Sequence, residues 1–202
     1  MSLRARPGQR DAAVDALRAK VLSAARSLLA EPAGSALSID AVAARAGVAR
    51  SIVHNQFGSV AGLVEALWDE LAAHGALAEL PRAFERSDAR AVLDEFIAIF
   101  GRFFDAERLV IRRVKGLAAF DRELARELRV RDEHRRAGLR RLTKQIAARG
   151  GIVEPGELDA IDVLFTLTAF ETFDALAGPE RSILDAVPAV QALVRRALQI
   201  PN

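Results

Sequence analysis

Residues 38–63, SIDAVAARAGVARSIVHNQFGSVAGL, decide how the rest of the chain is organised. Ser38 precedes Ile39, Val42, Ala43 and Ala46, whose steps of three and four mark one face of a helix, and its hydroxyl can cap that helix's free N–H groups. Gly47 then ends the helix, because glycine enters the left-handed region without a steric penalty and lets Val48 fall back onto it. A second helix follows at once. Val53 and Phe57, four apart, share its inward face, which turns Ala49, Arg50, His54 and Asn55 toward solvent or a partner. Helix, sharp turn and second helix together read as a helix-turn-helix.

At these residues the chain resembles the tetracycline-repressor (TetR) family of bacterial transcription regulators. The family motif runs roughly A-x-x-A-G-V-[ST]-x-x-[ST]-[LV]-Y-x-H-F-x-[SN]-K-x-x-L, and Ala43, Ala46, Gly47, Val48, Val53, Phe57, Ser59 and Leu63 match it in register. Spacing and residue types agree over residues 10–75; beyond them the resemblance is architectural. It implies an all-α fold of about nine helices, with an N-terminal three-helix helix-turn-helix domain before a larger ligand-binding and dimerisation domain. It also implies a homodimer that docks the second helix in the major groove of double-stranded operator DNA and leaves it when a small-molecule effector binds. The chain departs from the motif where the family places phosphate-contacting groups: Ala49 and Ile52 stand for Ser or Thr, His54 for Tyr, Gln56 for His and Val60 for Lys. A second reading therefore stands beside the first, a small-molecule or protein-binding dimer of the same fold with weakened DNA binding.

With 202 residues the chain is long enough for one large or two small domains with a real core. It has no cysteine, which excludes disulfides and thiolate metal sites and fits a cytoplasmic setting. The longest stretch free of Asp, Glu, Lys and Arg is residues 51–64, and it holds Ser, His, Asn and Gln, so no membrane span is expected. MSLRARPGQR is basic with no apolar core behind it, so no secretory signal is expected either. Net charge is +2 but unevenly spread: residues 1–60 carry eight Lys and Arg against four Asp and Glu, the remainder 21 against 23. That suits a polyanion at the N-terminal third, or is ordinary surface variation. No G-x-S-x-G, Walker loop or H-E-x-x-H occurs, and His54, His74 and His134 lie in unrelated places, so neither an enzyme nor a cofactor is expected. His134, flanked by Asp132 and Glu133, is not read as a metal site, because helix neighbours point about 100° apart and cannot converge on one ion.

Residues 1–10 are expected to be a disordered basic arm, either reaching DNA or simply solvated. Val14, Leu17, Val21, Ala24 and Leu28 predict one buried stripe of a helix over 11–30, so the helix-turn-helix domain is read as 11–58. A connecting helix fills 59–80 and contains Trp68, a ligand sensor or a core aromatic. Pro81 is read as its end, with the ligand-binding and dimerisation domain over 82–202. Within 82–202, Val92, Phe96, Ile99, Phe100 and Phe103 keep helical spacing with Phe104 beside them, four phenylalanines in nine residues, which line a pocket or pack as core. Residues 107–119 predict a short basic helix. A long charged one over 121–149 sets Arg131 and Arg135 near Leu124, Leu128, Leu139, Leu142 and Ile146. The next helix, opened by Pro155, is nearly continuous in apolar residues, and its Asp162, Glu171 and Asp174 need partners if buried.

The residues expected at DNA are Arg4, Arg6, Arg10 and Arg45 for phosphates, Arg50 for a guanine edge, Asn55 and Gln56 for bases or phosphates, and Ile52 for a thymine methyl. Ser38, Ala49, Ser51 and His54 are expected beside them. The expected effector pocket draws on Phe96, Phe100, Phe103, Phe165 and Phe170, with Arg112, Thr168 and Thr172 as polar anchors. The resemblance implies a dimer interface on the last two long helices, with Leu164, Glu171, Phe173, Val190, Leu193 and Ala197 as its residues.

Overall fold

The computed structural model describes residues 7–31, 36–149 and 157–200, and every regular element among them is helical. Eleven α-helices follow in order: α1 (Pro7–Ala30), α2 (Ile39–Ala46), α3 (Arg50–Phe57), α4 (Val60–His74), α5 (Leu80–Ala83), α6 (Ala89–Ala106), α7 (Arg108–Ala118), α8 (Arg122–Ala148), α9 (Glu157–Leu167), α10 (Phe170–Ala177) and α11 (Val187–Ala197). Short 3-10 turns at Ala76–Glu79 and Ile183–Ala186 precede α5 and α11. The chain divides into two compact units, each discontinuous in sequence. One holds Met1–Glu70 and Leu109–Glu127, the other Leu71–Arg108 and Leu128–Asn202.

In the first unit α2 packs on α1 and α3. Its core takes Val21, Leu22, Ala25, Leu28 and Leu29 from α1, Val42, Ala43 and Ala46 from α2, and Val53 and Phe57 from α3. Leu63, Val64 and Leu67 of α4 and Val110, Ile111 and Val114 of α7 are buried as well. Two expectations change here. Helix α1 begins at Pro7, four residues early, since a proline's fixed φ and missing N–H suit a first helical residue. Its stripe is buried only from Val21 onward: Val14 is 54% exposed.

In the second unit α6 packs against α5, α10, α11 and both 3-10 turns, and α11 against α9 and α10. Asp88 caps α6 by accepting from the N–H groups of Arg90 at 3.3 Å and Ala91 at 2.7 Å. Gly101 sets how closely α11 approaches α6, for a Cβ built there would lie 2.4 Å from Val187 Cγ2. Pro81 does not end a helix: α4 stops at His74 before Gly75, and Pro81 sits in the first turn of α5.

The long apolar segment after Pro155, itself outside the described residues, is not one helix. It breaks at Ala169, whose ψ of 150° is extended. The Thr168 hydroxyl donates back to Leu164 O at 2.6 Å, that of Thr172 to Thr166 O at 2.7 Å, and Arg135 Nη1 to Phe165 O at 2.8 Å, so side chains serve carbonyls at the break. This break and α5 account for eleven helices where about nine were expected. Much of the apolar body on which the dimer interface was expected is covered by this chain's own helices: Leu164, Phe173, Val190, Val194 and Leu198 are all 0% exposed. Asp174 pairs with Arg108 at 2.6 Å; Asp162 and Glu171 are exposed, and Asp162 pairs with Arg136 at 2.6 Å.

Candidate nucleic-acid interface

Ser38 adopts the extended cap conformation, and its hydroxyl accepts from Ala41 N–H at 3.1 Å, so it starts α2. Gly47 stops α2 at φ 61° and ψ 43°, in the left-handed region. Gly47 N–H donates to Ala44 O at 3.2 Å and Val48 N–H to Ala43 O at 3.0 Å. These two bonds are the Schellman pair, which satisfies the last carbonyls of α2 while reversing the chain. Helix α3 then begins at once, held to the core by Val53, 0% exposed, and Phe57, 8% exposed, with the Arg18 guanidinium 5.1 Å from the Phe57 ring centroid.

Anchoring those two residues fixes the phase of the outer face. Arg50, Ser51, His54 and Asn55 are exposed together, with Ala49 beside them, as the sequence implied. Ile52 and Gln56 are half-buried, and the Gln56 amide oxygen is turned inward, where it meets no hydrogen-bond partner among the described residues. The buried amide oxygen leaves the Gln56 amide nitrogen as its group for a base or phosphate. Ala49 supplies no side-chain cap, so α3 starts with fewer satisfied N–H groups than a Ser or Thr would leave.

After α3 the chain turns within three residues. Gly58 sits at φ 71° and ψ −60°, and Ser59 N–H donates to Phe57 O at 2.8 Å, a γ-turn of the positive-φ kind that glycine tolerates. Ser59 Oγ accepts from Gly62 N–H at 3.2 Å and donates to Glu123 Oε1 at 2.9 Å, so one hydroxyl caps α4 and ties it to the start of α8. Glu123 was not among the residues expected at the site. Val60, where the motif has Lys, is half-buried.

Two cations of this surface, Arg45 and Arg50, are already paired. Arg45 donates to Ser27 Oγ at 2.9 Å and forms an ion pair with Glu31. Arg50 Nε lies 2.8 Å from Asp40 Oδ1, both side chains being about two-thirds exposed. Exposed pairs of this kind are worth roughly 0.2 to 1 kcal/mol, less than one good base contact at roughly 1 to 3 kcal/mol, so neither pair prevents engagement of DNA. Arg4 and Arg6 lie outside the described residues, as does the side chain of Arg10, whose backbone belongs to α1.

Several of the expected effector-pocket residues come together in the second unit. Phe96, Phe100 and Phe104 stack in sequence at 4.8 and 5.6 Å between centroids, and Phe104 also meets Phe103, Phe170 and Phe173 at 5.8, 5.5 and 5.4 Å. Phe104 is thus the hub, although it was not among the expected pocket residues; its spacing of four from Phe100 is the signal that marks it. Phe165 lies instead against the guanidinium groups of Arg135 and Arg136, 3.7 and 3.8 Å from its centroid. Burial pushes the Arg135 guanidinium below its ordinary pKa, and Asp132 and Glu171 oppose that shift. Thr168 and Thr172, expected as polar anchors, spend their hydroxyl protons on carbonyls at the helix break. Arg112 is exposed on α7, in the other unit. Of the expected interface residues, Leu164, Phe173 and Val190 are enclosed by their own chain, and Glu171, Leu193 and Ala197 face outward.

Among the described residues no group of three or more metal-ligating side chains gathers, and no helix is long and apolar enough to cross a membrane. Residues 21–67 match the family model of bacterial regulatory proteins, tetR family. No curated protein matches the sequence. Several solved structures are similar in fold, three of them as follows. The fatty acid degradation regulator FadR from Bacillus halodurans is 16% identical, covering 92% of this chain and 97% of its own at a TM-score of 0.71. The TetR family transcriptional regulator PfmR from Thermus thermophilus is 21% identical, covering 90% and 96% at 0.64. A TetR transcription regulator from Haloarcula marismortui is 16% identical, covering 92% and 96% at 0.66. These neighbours are regulators, not enzymes. The domain over residues 21–67 is the helix-turn-helix domain of the tetR family of bacterial regulatory proteins, and the chain that carries it has the fold of solved TetR regulators.

Proposed function

We propose that this protein is a cytoplasmic, homodimeric repressor that binds operator DNA through α3 and leaves it when a small apolar effector occupies the second unit. The observation that carries the reading is the α3 surface. The Schellman turn at Gly47 and the buried pair Val53 and Phe57 hold Arg50, Ser51, His54 and Asn55 on one exposed face. A short helix fixed from behind, with donors and one cation in front, fits base edges in a major groove.

Support for an apolar effector is the aromatic cluster around Phe104, together with a fold neighbour that is named as a fatty acid degradation regulator. A fatty acyl chain is accordingly the first ligand to test. Support for a homodimer is that Leu193 and Ala197 on α11 and Glu171 on α10, all expected at the interface, are exposed. The reading of a dimer with weakened DNA binding is favoured by Ala49 and Val60, which take no part in phosphate neutralisation.

A genome-wide pull-down of bound DNA, followed by gel shifts of the recovered sequence over a salt series, tests the proposal. One recovered sequence, bound with a salt-dependent affinity and released by long-chain fatty acid or its thioester, supports it. Recovery of no preferred sequence favours the alternative.

A further inference from the structure

Two residues face each other across the helix-turn-helix: Arg50, first in α3, and Asp40, in the first turn of α2. Their ion pair runs through Nε, 2.8 Å from Asp40 Oδ1. Asp40 is therefore on the inner edge of the guanidinium, and neither Nη has another partner among the described residues. A guanidinium has five N–H donors in a rigid planar fork, and bidentate reading of guanine O6 and N7 uses two of them on one edge. With the carboxylate at Nε, the two Nη groups are left for that edge, and the pair biases the arginine toward the rotamer that presents them. Long arginine side chains otherwise sample many rotamers, and losing them when the guanine contact forms lowers what that contact contributes.

We propose that Asp40 is a positioning residue for base selection: it orients Arg50 so that the Nη pair reads one guanine, and it is not merely an acid beside DNA. The proposal rests on the reading of α3 as the recognition helix. It differs from the simple electrostatic expectation in sign. A carboxylate near a polyanion weakens binding to every sequence alike, whereas a carboxylate that orients the reader raises the preference for one base pair.

The test uses the full chain and the DNA sequence that it selects from a random library. Fluorescence anisotropy measures binding of that sequence, and of its single-base-pair variants, to the wild type, Asp40→Asn, Asp40→Ala, Arg50→Ala and Asp40→Asn/Arg50→Ala, at two salt concentrations. Asp40 is exposed, and far-UV circular dichroism verifies that each variant is folded. Asp40→Asn is expected to reduce discrimination about fivefold to tenfold at the same base pair at which Arg50→Ala reduces it. In the Arg50→Ala background it should change discrimination no further. Asp40→Asn that tightens binding to all sequences alike, with discrimination intact, overturns the proposal and leaves the reading of α3 in place. So does a loss of discrimination that persists once Arg50 is gone. A wild type that selects no sequence, or an Arg50→Ala variant as selective as the parent, overturns that reading and the proposal with it.

Discussion

At the residue scale, the side chains facing outward from α3 carry one formal cation, Arg50, and no formal charge occurs between Ser51 and Val64. Arg50→Ala should cost roughly 1 to 3 kcal/mol of operator binding and relax selectivity at one base pair, read by anisotropy on single-base variants. Val60→Lys restores the motif's cation and should steepen the log–log salt dependence by about 0.9 and tighten binding to every sequence. An unchanged slope would mean that the side chain at position 60 does not reach a phosphate. Glycines give a second residue-level test. A Cβ at Gly62 would lie 2.2 Å from the backbone oxygen of Phe57, while one at Gly58 meets nothing within 4 Å and is strained only by its φ of 71°. Gly62→Ala should thus lower thermal stability more than Gly58→Ala, whose cost is about 1 to 2 kcal/mol, since the γ-turn cannot yield as a flexible side chain would.

At the element scale, α2 and α3 differ in how they begin. Ser38 caps α2, and Ala49 leaves α3 without a side-chain cap. Ala49→Ser should stabilise the fold by about 0.5 to 2 kcal/mol, and Ser38→Ala should destabilise it by a similar amount, both read from urea midpoints. If Ala49→Ser left the midpoint unchanged, the open N–H groups of α3 would be satisfied in some other way. The break between α9 and α10 is the other element-level feature. Arg135 and Thr168 meet the carbonyls of Phe165 and Leu164 there. Arg135→Ala removes both a donor and a cation stacked on Phe165, so a loss of about 1 to 3 kcal/mol is expected in thermal unfolding.

At the scale of the whole molecule, sedimentation at micromolar concentration should find a homodimer, and a monomer there would remove the basis for two recognition helices spaced by one DNA turn, about 34 to 36 Å, or a multiple of it. Much of the first unit was legible in the sequence. The cap at Ser38, the turn at Gly47 and the inward pair Val53 and Phe57 depend only on residues within a few positions of one another, where backbone sterics and helical period act directly. The phenylalanine spacing likewise placed Phe96 and Phe100 on one face. What only the tertiary structure decided involves partners far apart in sequence. Val14 reads as stripe but finds no cover. Where the apolar segment after residue 157 breaks, Phe165 O is met by Arg135, 30 positions earlier, and Glu123 reaches Ser59 across 64 positions. Local pattern fixes which side of a helix is apolar, since that follows from a period of 3.6 residues; which neighbour covers that side, and which carboxylate meets which guanidinium, depends on distances that only the packed chain sets.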